Sequence, residues 1–491
     1  MTIHPNQNNN GVKVLLFNPY SYVQKLFENN KDYAIYKDKS IVYNELDQHK
    51  NIFIRSPKCI SKKNDIGSIR TKIFLNLPLW YRWKGQVEKY EDHHNSCILF
   101  IMHLMEVFES LNIKCVVFFT GVAHHIEPAL VEIAAQLAGI EQVYLYQSPF
   151  DTSTSHLIPL VQQSSISDRR IMSCIISEYK LDTQILEYRD NFLRLKPPVQ
   201  NEKIDYKATS YNLAVTRLFI RLIKESIRRR IYSSIKVAKH PIDAIQDYNL
   251  LSMFSILKRQ KASLEYYKNN IVKNIDVEKL IKERTRLPII YAHFQPEATS
   301  FPEGGENSNH LDIVLEIRKT GYEGPILYKE HPASWIYYSK LVGFSKVGIN
   351  RSIEYYEKLQ TLGCVFLAPN WKLESKHYES ILPVTITGSI AIERSLTGRS
   401  TCCAGFPWFK GAPGLYDISE TFGDNGIFNL GVSWAFEPSN SITWFKEKLS
   451  HNTIVNYPGI GNGTKLTSDV DQKEFLTAFQ KLCSLISQRK I

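Results

Sequence analysis

The stretch Tyr291–Pro332, YAHFQPEATSFPEGGENSNHLDIVLEIRKTGYEGPILYKEHP, decides the fold of this 491-residue chain. The apolar run Leu287–Tyr291 (LPIIY) leads into it and predicts a buried strand. A polar elbow follows the strand and presents His293, Gln295 and Glu297. The first strand therefore delivers imidazole, amide and carboxylate groups at its C-terminal end.

The same pattern recurs before the stretch ends. Gly304 and Gly305 predict a turn, and His310–Lys319 has the spacing of an amphipathic helix. The apolar run Ile326–Tyr328 then predicts a second strand, which leads into Lys329-Glu330-His331-Pro332. Two successive strands thus end in titratable side chains. In open α/β sheets that edge is where ligands bind.

Length and composition bound the rest of the chain. A chain of 491 residues is too long for one core and predicts two domains, with room for an insertion. Its 43% hydrophobic and 12% aromatic content predicts folded cores, and a formal charge of +11 indicates an anionic partner. No apolar run approaches the roughly 20 residues that span a bilayer, and the N-terminus lacks a signal-peptide core. We expect a cytoplasmic location.

The N-terminal part, residues 1–166, has a parallel α/β pattern. Val12–Phe17, Ile113–Phe119 and Val143–Tyr146 read as strands, and helical periods precede and follow the second of them. The segment GVAHHIEP between them contains His124 and Glu127 and leads into a helix.

Residues 167–286 are predicted to be mainly helical and basic. Between Arg217 and Lys239 there are eight basic residues and one acidic residue, a net charge of +7. Phe219, Ile223 and Ile227 recur at every fourth position beside this charge. One interpretation is a solvated basic face whose apolar stripe packs on the core. The other is attachment to an anionic inner-membrane surface. Without a nucleic-acid-binding motif, nucleic acid is not expected as a partner.

Residues 287–470 return to alternating strands and helices, and 471–491 predict a closing amphipathic helix. Within them Pro383–Glu393 (PVTITGSIAIE) reads as a strand, a Thr-Gly-Ser turn and a helix. Thr387, Gly388 and Ser389 offer small hydroxyls and free backbone N–H groups to a phosphate. Glu393, one turn into the helix, is placed to accept hydrogen bonds from ribose hydroxyls.

Several familiar site patterns are missing from the sequence. It contains no GxxxxGK[ST] and no GxGxxG, which argues against P-loop and dinucleotide-binding sites. Asp469-Val470-Asp471 precedes the last helix and is interpreted as a cap, and the adjacent pairs His93-His94 and His124-His125 lack the spacing of helical metal ligands. Eight scattered cysteines without a CxxC pair indicate reduced structural thiols. We expect neither a metal nor another cofactor.

Four segments together resemble the bacterial capsule-polysaccharide biosynthesis family, which includes the β-Kdo transferases and related nonulosonate transferases. The matching segments are FQPEATSFPEGG (Phe294–Gly305), YKEHP (Tyr328–Pro332), TITGSIAIE (Thr385–Glu393) and GFPWFKGAPG (Gly405–Gly414). Their order and spacing agree over roughly residues 287–415. GVAHHIEPALVEIAAQLAGI in the N-terminal half is similar to the family's glycine, histidine and acidic stretch before a helix.

The resemblance implies a GT-B-like fold, two Rossmann-like domains that face each other across a cleft. It also implies a CMP-activated sugar as the donor and a glycan or glycolipid as the acceptor. The residues that would contact donor and nucleotide are Gln295, Tyr328, Lys329, Thr387, Gly388, Ser389 and Glu393. A CMP-activated sugar leaves with a single phosphate, so no metal is required to hold a pyrophosphate.

Four residues are candidates for the chemistry. His331 would bond or protonate the departing phosphate, which Lys329 would neutralise. Glu297 would attack the anomeric carbon in a retaining enzyme, or take the acceptor's proton in an inverting one. The Kdo transferases of the family use an aspartate as the nucleophile, and this chain has glutamate. His124 and Glu127 are candidates for acceptor binding or acid–base work, and helix capping is the alternative for both.

The resemblance has two departures and leaves two alternatives open. Thr397–Thr401 (TGRST) replaces the family's Gly-Lys-Pro-Val, and the long 167–286 segment is particular to this chain. The first alternative is a UDP- or GDP-sugar enzyme of similar fold, in which Arg394 or Arg399 would bind the second phosphate. The second is a non-catalytic glycan-binding or assembly protein that docks through its basic helix.

Overall fold

The structure is a computed structural model with side chains, and the described residues cover most of two sheets and their helices. They are residues 13–17, 19, 33–37, 40–45, 48–53, 66–75, 90–119, 126–150, 155–162, 166–172, 182–194, 215–216, 219–220, 223–224, 250–284, 286–293, 303–331, 351–428, 433–450, 453–457 and 469–488.

The first sheet has nine strands. They are β1 (Lys13–Phe17), β2 (Tyr33–Lys37), β3 (Ser40–Glu45), β4 (Gln48–Phe53), β5 (Ile113–Phe118), β6 (Glu141–Gln147), β7 (Ser155–Gln162), β8 (Arg170–Ile171) and β15 (Ile454–Tyr457). Their order is β15-β7-β6-β5-β1-β2-β3-β4, with β8 paired to β7. The centre, β6-β5-β1-β2, is parallel, and the pairs outside it are antiparallel.

The second sheet has six strands. They are β9 (Leu287–Tyr291), β10 (Ile326–Lys329), β11 (Cys364–Leu367), β12 (Ile381–Thr385), β13 (Thr401–Cys403) and β14 (Leu415–Tyr416). The order β11-β10-β9-β12-β13-β14 is parallel throughout. Counted within the sheet this is 3-2-1-4-5-6, the strand order of the Rossmann fold. The predicted α/β fold with two Rossmann-like domains is confirmed.

Helices connect the strands and cover the sheets. They are α1 (Ile66–Leu75), α2 (Tyr90–Ser110), α3 (Ile126–Leu137), α4 (Asp182–Leu193), α5 (Leu250–Asn269), α6 (Asn274–Glu283), α7 (His310–Lys319), α8 (Ile353–Thr361), α9 (Ile390–Leu396), α10 (Ile418–Phe422), α11 (Pro438–Leu449) and α12 (Asp469–Gln488). The helix that the sequence predicts over His310–Lys319 matches α7 at both ends. None of the helices in the described part is long and apolar enough to cross a membrane.

Alternating residues of the first sheet supply two cores. Leu15 and Phe17 of β1 pack with α2 and α3 on one face, and Val14 and Leu16 pack on the other face. The last helix, α12, covers that second face with an apolar stripe of Phe475, Phe479, Leu482 and Ile486. The predicted closing helix therefore completes the first sheet.

The chain returns to the first sheet earlier than the sequence indicates. The sequence assigns residues 287–470 to one domain, yet β15 within that range pairs with β7. It also starts a helical segment at residue 167, yet β8 pairs with β7 as well. Both pairings join segments that are distant in sequence or only two residues long, so no local pattern announces them.

The two halves share one core. Ala391, Ile392 and Leu396 of α9 are buried in the same cluster as the helices of the first sheet. Rings cross the boundary too, since Tyr146 lies 6.2 Å from Trp408 between ring centroids. The helix that follows the Thr-Gly-Ser turn is therefore held from both sides.

A buried ion pair also crosses this boundary. Arg169, between β7 and β8, donates from Nη1 to Oε1 of Glu303 at 3.2 Å, and the two side chains are 2% and 3% exposed. The guanidinium lies 4.4 Å over the Tyr144 ring and also donates to Gln162. Glu303 in turn accepts Phe406 N–H at its carbonyl oxygen, 2.7 Å away. Arg169 of the first half thus fixes the segment around Glu303, which leads into α7.

Glu303→Gln should lower the free energy of unfolding by about 3 kcal/mol, because it takes the paired charge from a buried guanidinium. The matched control is Glu283→Gln, which breaks the exposed Lys279–Glu283 pair, whose side chains are 73% and 58% exposed. That change should cost less than about 1 kcal/mol. Urea unfolding of both variants measures the difference. Equal losses would contradict a structural role for the buried pair.

Candidate functional site

The strand order of the second sheet reverses between β9 and β12. Connections from these two adjacent strands run in opposite directions, which leaves a crevice at their carboxyl ends. His293 follows β9, Lys329 to His331 follow or end β10, and Thr387 to Ser389 follow β12. Two of the stretches that the sequence analysis singled out, and the Thr-Gly-Ser turn, therefore meet at one edge.

The turn after β12 is held by two hydrogen bonds. Gly388 N–H donates to Thr385 Oγ1 at 3.1 Å, and Thr387 N–H donates to His293 Nε2 at 3.4 Å. A Cβ at Gly388 would lie 2.6 Å from Thr385 Oγ1 and 3.6 Å from the His293 ring. The turn therefore requires glycine for close approach, and its backbone is fixed against β9. Ser389 is exposed at the start of α9.

A lysine and a carboxylate lie beside this turn. Lys329 Nζ is 5.1 Å from the Tyr291 ring centroid, and its charge acts on Glu393 of α9. Burial lowers the pKa of Lys329 to about 8, against the opposing charges of Glu330 and Glu393. Burial raises the pKa of Glu393 to about 7, although hydroxyls of Ser389 and Tyr188 donate to it. Both groups therefore titrate close to neutral pH.

Tyr188 reaches this pair from α4, outside both central sheets. Its ring makes an edge contact with Phe150 of the first half at 5.2 Å, and its hydroxyl bonds Ser389 and Glu393 of the second. Tyr188 belongs to the 167–286 segment, which the sequence predicts only to be helical and basic. This segment thus lines one side of the site.

Behind the second strand end lies a buried ion pair. Glu330 is 0% exposed, and its Oε2 accepts Arg351 Nε at 2.8 Å. The same carboxylate accepts the hydroxyl of Tyr356 at 3.0 Å and the backbone N–H of His331 at 3.0 Å. Burial acts to raise the pKa of Glu330, but the charge and hydrogen bonds of Arg351 outweigh it and hold the pKa below its usual value. This carboxylate fixes the backbone of His331.

Three histidines surround the ion pair, and all are neutral at pH 7. Burial, aided by nearby cations, lowers the pKa of His331 to about 4 and of His293 to about 3, and the pKa of His310 lies well below its usual value. His310 Nε2 accepts the His293 backbone N–H at 2.9 Å. At pH 7 His331 is therefore a hydrogen-bonding imidazole and not an imidazolium acid.

The structure brings most of the predicted donor-binding residues together. His331, Lys329, Thr387, Gly388, Ser389 and Glu393 lie at the carboxyl edge of the second sheet. Tyr328 is different, because its side chain is fully buried in the core and its hydroxyl donates to Glu330 at 3.2 Å. It supports the ion pair and does not line the edge.

The remaining predicted residues divide into two groups. Glu127 lies in the first turn of α3 and accepts the Tyr36 hydroxyl at 2.7 Å, at the carboxyl edge of the first sheet. His124, Gln295 and Glu297 lie outside the described residues.

Sequence reasoning missed several residues at this edge. His293 was noted in the elbow but received no role, and Arg351, His310, Tyr188 and Tyr291 were not singled out. His293 and Tyr291 could have been found from their position at the end of β9. Arg351 follows Glu330 by 21 positions, and no motif links the two.

Comparisons with known proteins do not identify a family for this chain. No family model and no curated protein matches the sequence. Among solved structures, the β-Kdo 2,7-transferase KpsC of Thermosulfurimonas dismutans aligns over 96% of this chain and 99% of its own, at 8% identity and a TM-score of 0.31. The UDP-GlcNAc 2-epimerase of Neisseria meningitidis, bound to UDP-GlcNAc, aligns over 97% and 99%, at 10% identity and a TM-score of 0.19. These TM-scores are too low to assign a fold or a function to this chain. The fold is assigned from the sheet topology.

Gly388→Ala should lower the free energy of unfolding by about 2 kcal/mol, because the new methyl group displaces the Thr385 hydroxyl from the turn. The control is a double-mutant cycle with Thr385→Ala, which removes the obstructing oxygen. In that background Gly388→Ala should cost distinctly less. Denaturant unfolding of the four proteins measures this coupling. Strictly additive losses would contradict the close contact.

Proposed function

We propose that this protein is a glycosyltransferase that moves a nonulosonic acid, of the Kdo or sialic/pseudaminic type, from its CMP-activated form to a bacterial surface glycan of capsule or lipopolysaccharide. The observation that carries the proposal is the meeting of Lys329, His331, Ser389 and Glu393 at the reversal point of a Rossmann-type sheet. This edge offers the ammonium group of Lys329 and small hydroxyls, which suit a single phosphate.

The first step in donor binding is the fit of a phosphate to Lys329. The Lys329 ammonium gains from an anion that enters its site, because attraction between opposite charges is strong where water is excluded. The same anion raises the pKa of neighbouring His331, so that its imidazole can bond the departing phosphate oxygen or protonate it. Thr387 and Ser389 add hydroxyls on the other side.

The second step is the fit of a ribose to Glu393. Its carboxyl already receives hydroxyl hydrogen bonds from Ser389 and Tyr188. A ribose hydroxyl that replaces one of them keeps the buried carboxyl satisfied. Tyr188 therefore competes with the nucleotide or shares the carboxyl with it.

The third step is the transfer itself, for which Glu297 is the proposed carboxylate. In a retaining reaction its oxygen attacks the anomeric carbon, the bond to the CMP phosphate breaks, and CMP leaves with both electrons. The acceptor hydroxyl then displaces the carboxylate and gives its proton to a base, for which Glu127 and His124 are candidates. In an inverting reaction Glu297 itself takes that proton, and the acceptor attacks directly. Gln295 would hold sugar or phosphate oxygens.

The two arginines named as second-phosphate ligands in the UDP- or GDP-sugar alternative also have partners within the protein. Arg394 donates to the carbonyl oxygens of Tyr378 and Ser400, which precede β12 and β13. Arg399 pairs with Glu379 at 2.9 Å. The charge of Arg394 acts on Tyr291, whose ring centroid lies 5.1 Å from Lys329 Nζ. The UDP- or GDP-sugar alternative therefore stands beside the CMP proposal.

Calorimetry with CMP, UDP and GDP tests the donor class, in the absence of added metal. We expect a clear preference for CMP, because one phosphate matches one buried lysine. Preference for UDP or GDP would favour the first alternative. If none of the three binds, the glycan-assembly alternative replaces the enzyme.

Two substitutions separate binding from chemistry. Glu297→Ala should abolish transfer to the acceptor and leave CMP affinity nearly unchanged, whereas His331→Ala should weaken both. Product formation and calorimetry on the same preparations measure the two effects. Normal turnover by the Glu297 variant would overturn its assignment.

The affinity for CMP should fall as the pH rises through about 8, because the depressed pKa of Lys329 leaves its charge present below that pH and removes it above. Lys329→Arg is the matched variant, since a guanidinium keeps its charge over the whole range. Calorimetric titrations from pH 7 to about pH 9.5 should show a decline for the natural protein and a flat profile for the variant. The same decline in both proteins would show that another group controls it.

A further inference from the structure

A small apolar surface lies on the segment between α4 and α5. Phe219, Ile220 and Ile223, the 219–223 surface, are 57%, 47% and 46% exposed. Six large apolar side chains are exposed among the described residues, and three of the six lie within these five positions. Such concentration marks an interaction surface rather than scattered exposure.

The three side chains share one face of a helical segment. The described positions 215–216, 219–220 and 223–224 are helical, and residues three or four apart, such as Phe219 or Ile220 with Ile223, lie on the same side of a helix. Lys224, beside them, is exposed as well. The sequence left open whether the apolar stripe packs on the core. At Phe219 and Ile223 it does not.

The charge around the surface is strongly positive. Arg217–Lys239 contains eight basic residues and one acidic residue, a net charge of +7 within a chain whose formal total is +11. Of these basic residues, Lys224 lies in the described part of the chain, next to Ile223, and it is exposed. An apolar face flanked by cations complements a surface that is anionic outside and apolar beneath.

We propose that the 219–223 surface docks on the headgroup region of an anionic phospholipid bilayer. Phe219, Ile220 and Ile223 enter the boundary between headgroups and acyl chains, and the basic side chains contact lipid phosphates. The segment lies in the plane of the membrane. This docking is independent of the proposed glycosyl transfer.

Other occupants match the surface less well. A second copy of the chain would bring two basic segments together, and their like charges would repel. A nucleic acid would use the cations but gain nothing from three exposed aliphatic and aromatic side chains. A bilayer uses both features.

Vesicle flotation tests the proposal on the full chain. We expect binding to phosphatidylcholine vesicles that contain phosphatidylglycerol, weakening as salt is added, and little binding to phosphatidylcholine alone. The triple variant F219S/I220S/I223S should bind the anionic vesicles more weakly by a factor of about ten or more. The control I275S removes an equally large side chain that is 75% exposed elsewhere, on α6, and should bind normally.

The proposal fails if the natural protein ignores anionic vesicles, if it binds neutral vesicles equally, or if the triple variant binds as well as the control. It also fails if the triple variant loses self-association instead of vesicle binding. A third contrary result is that I275S and the triple variant bind a homopolymeric RNA equally well while neither of them floats with anionic vesicles. If the triple variant unfolds, Lys224→Glu is the second test and should weaken flotation on anionic vesicles. Calorimetry with CMP is a separate readout, so loss of flotation with unchanged nucleotide binding isolates the docking surface.

Discussion

The arrangement of the site depends on one buried ion pair, Glu330 with Arg351. Its carboxylate receives bonds from Arg351, Tyr356, Tyr328 and the backbone of His331. Arg351 also donates to the carbonyl oxygen of His293 at 3.3 Å, so the ends of β9 and β10 are tied to one guanidinium. A buried pair of this kind is costly to break and fixes geometry more than it adds stability. Lys329 and Glu393, whose pKa values burial shifts to about 8 and about 7, lie at the edge that this ion pair supports.

Much of the fold was predictable because its signals are local. Apolar runs such as Leu287–Tyr291, and the helical period of His310–Lys319, lie in short windows and agree with the parallel second sheet. The strands that were missed have other causes. β2 to β4 form a hairpin-rich flank of mixed polarity, Pro159 interrupts the apolar run of β7, and β15 joins the first sheet from a distant part of the chain.

The candidate site was predictable from the sequence only where its residues lie at or close to the ends of strands. Lys329 ends β10 and Ser389 follows β12, with Glu393 one turn into the helix after it, so their meeting follows from the sheet. Arg351 and Tyr188 reach the same edge from other elements, and only the three-dimensional packing reveals them. Tyr328 shows the converse, because alternation along β10 turns its ring to the core while Lys329 faces the edge. A residue beside a functional one in sequence is thus on the opposite face of the sheet.

The most direct test of the account is a crystal structure of the protein with CMP. The account predicts the phosphate within hydrogen-bond distance of Lys329 Nζ and the ribose hydroxyls on the carboxyl of Glu393, at the reversal point between β9 and β12. A nucleotide whose phosphate is bound by Arg394 or Arg399 instead, without contact to Lys329, would contradict it.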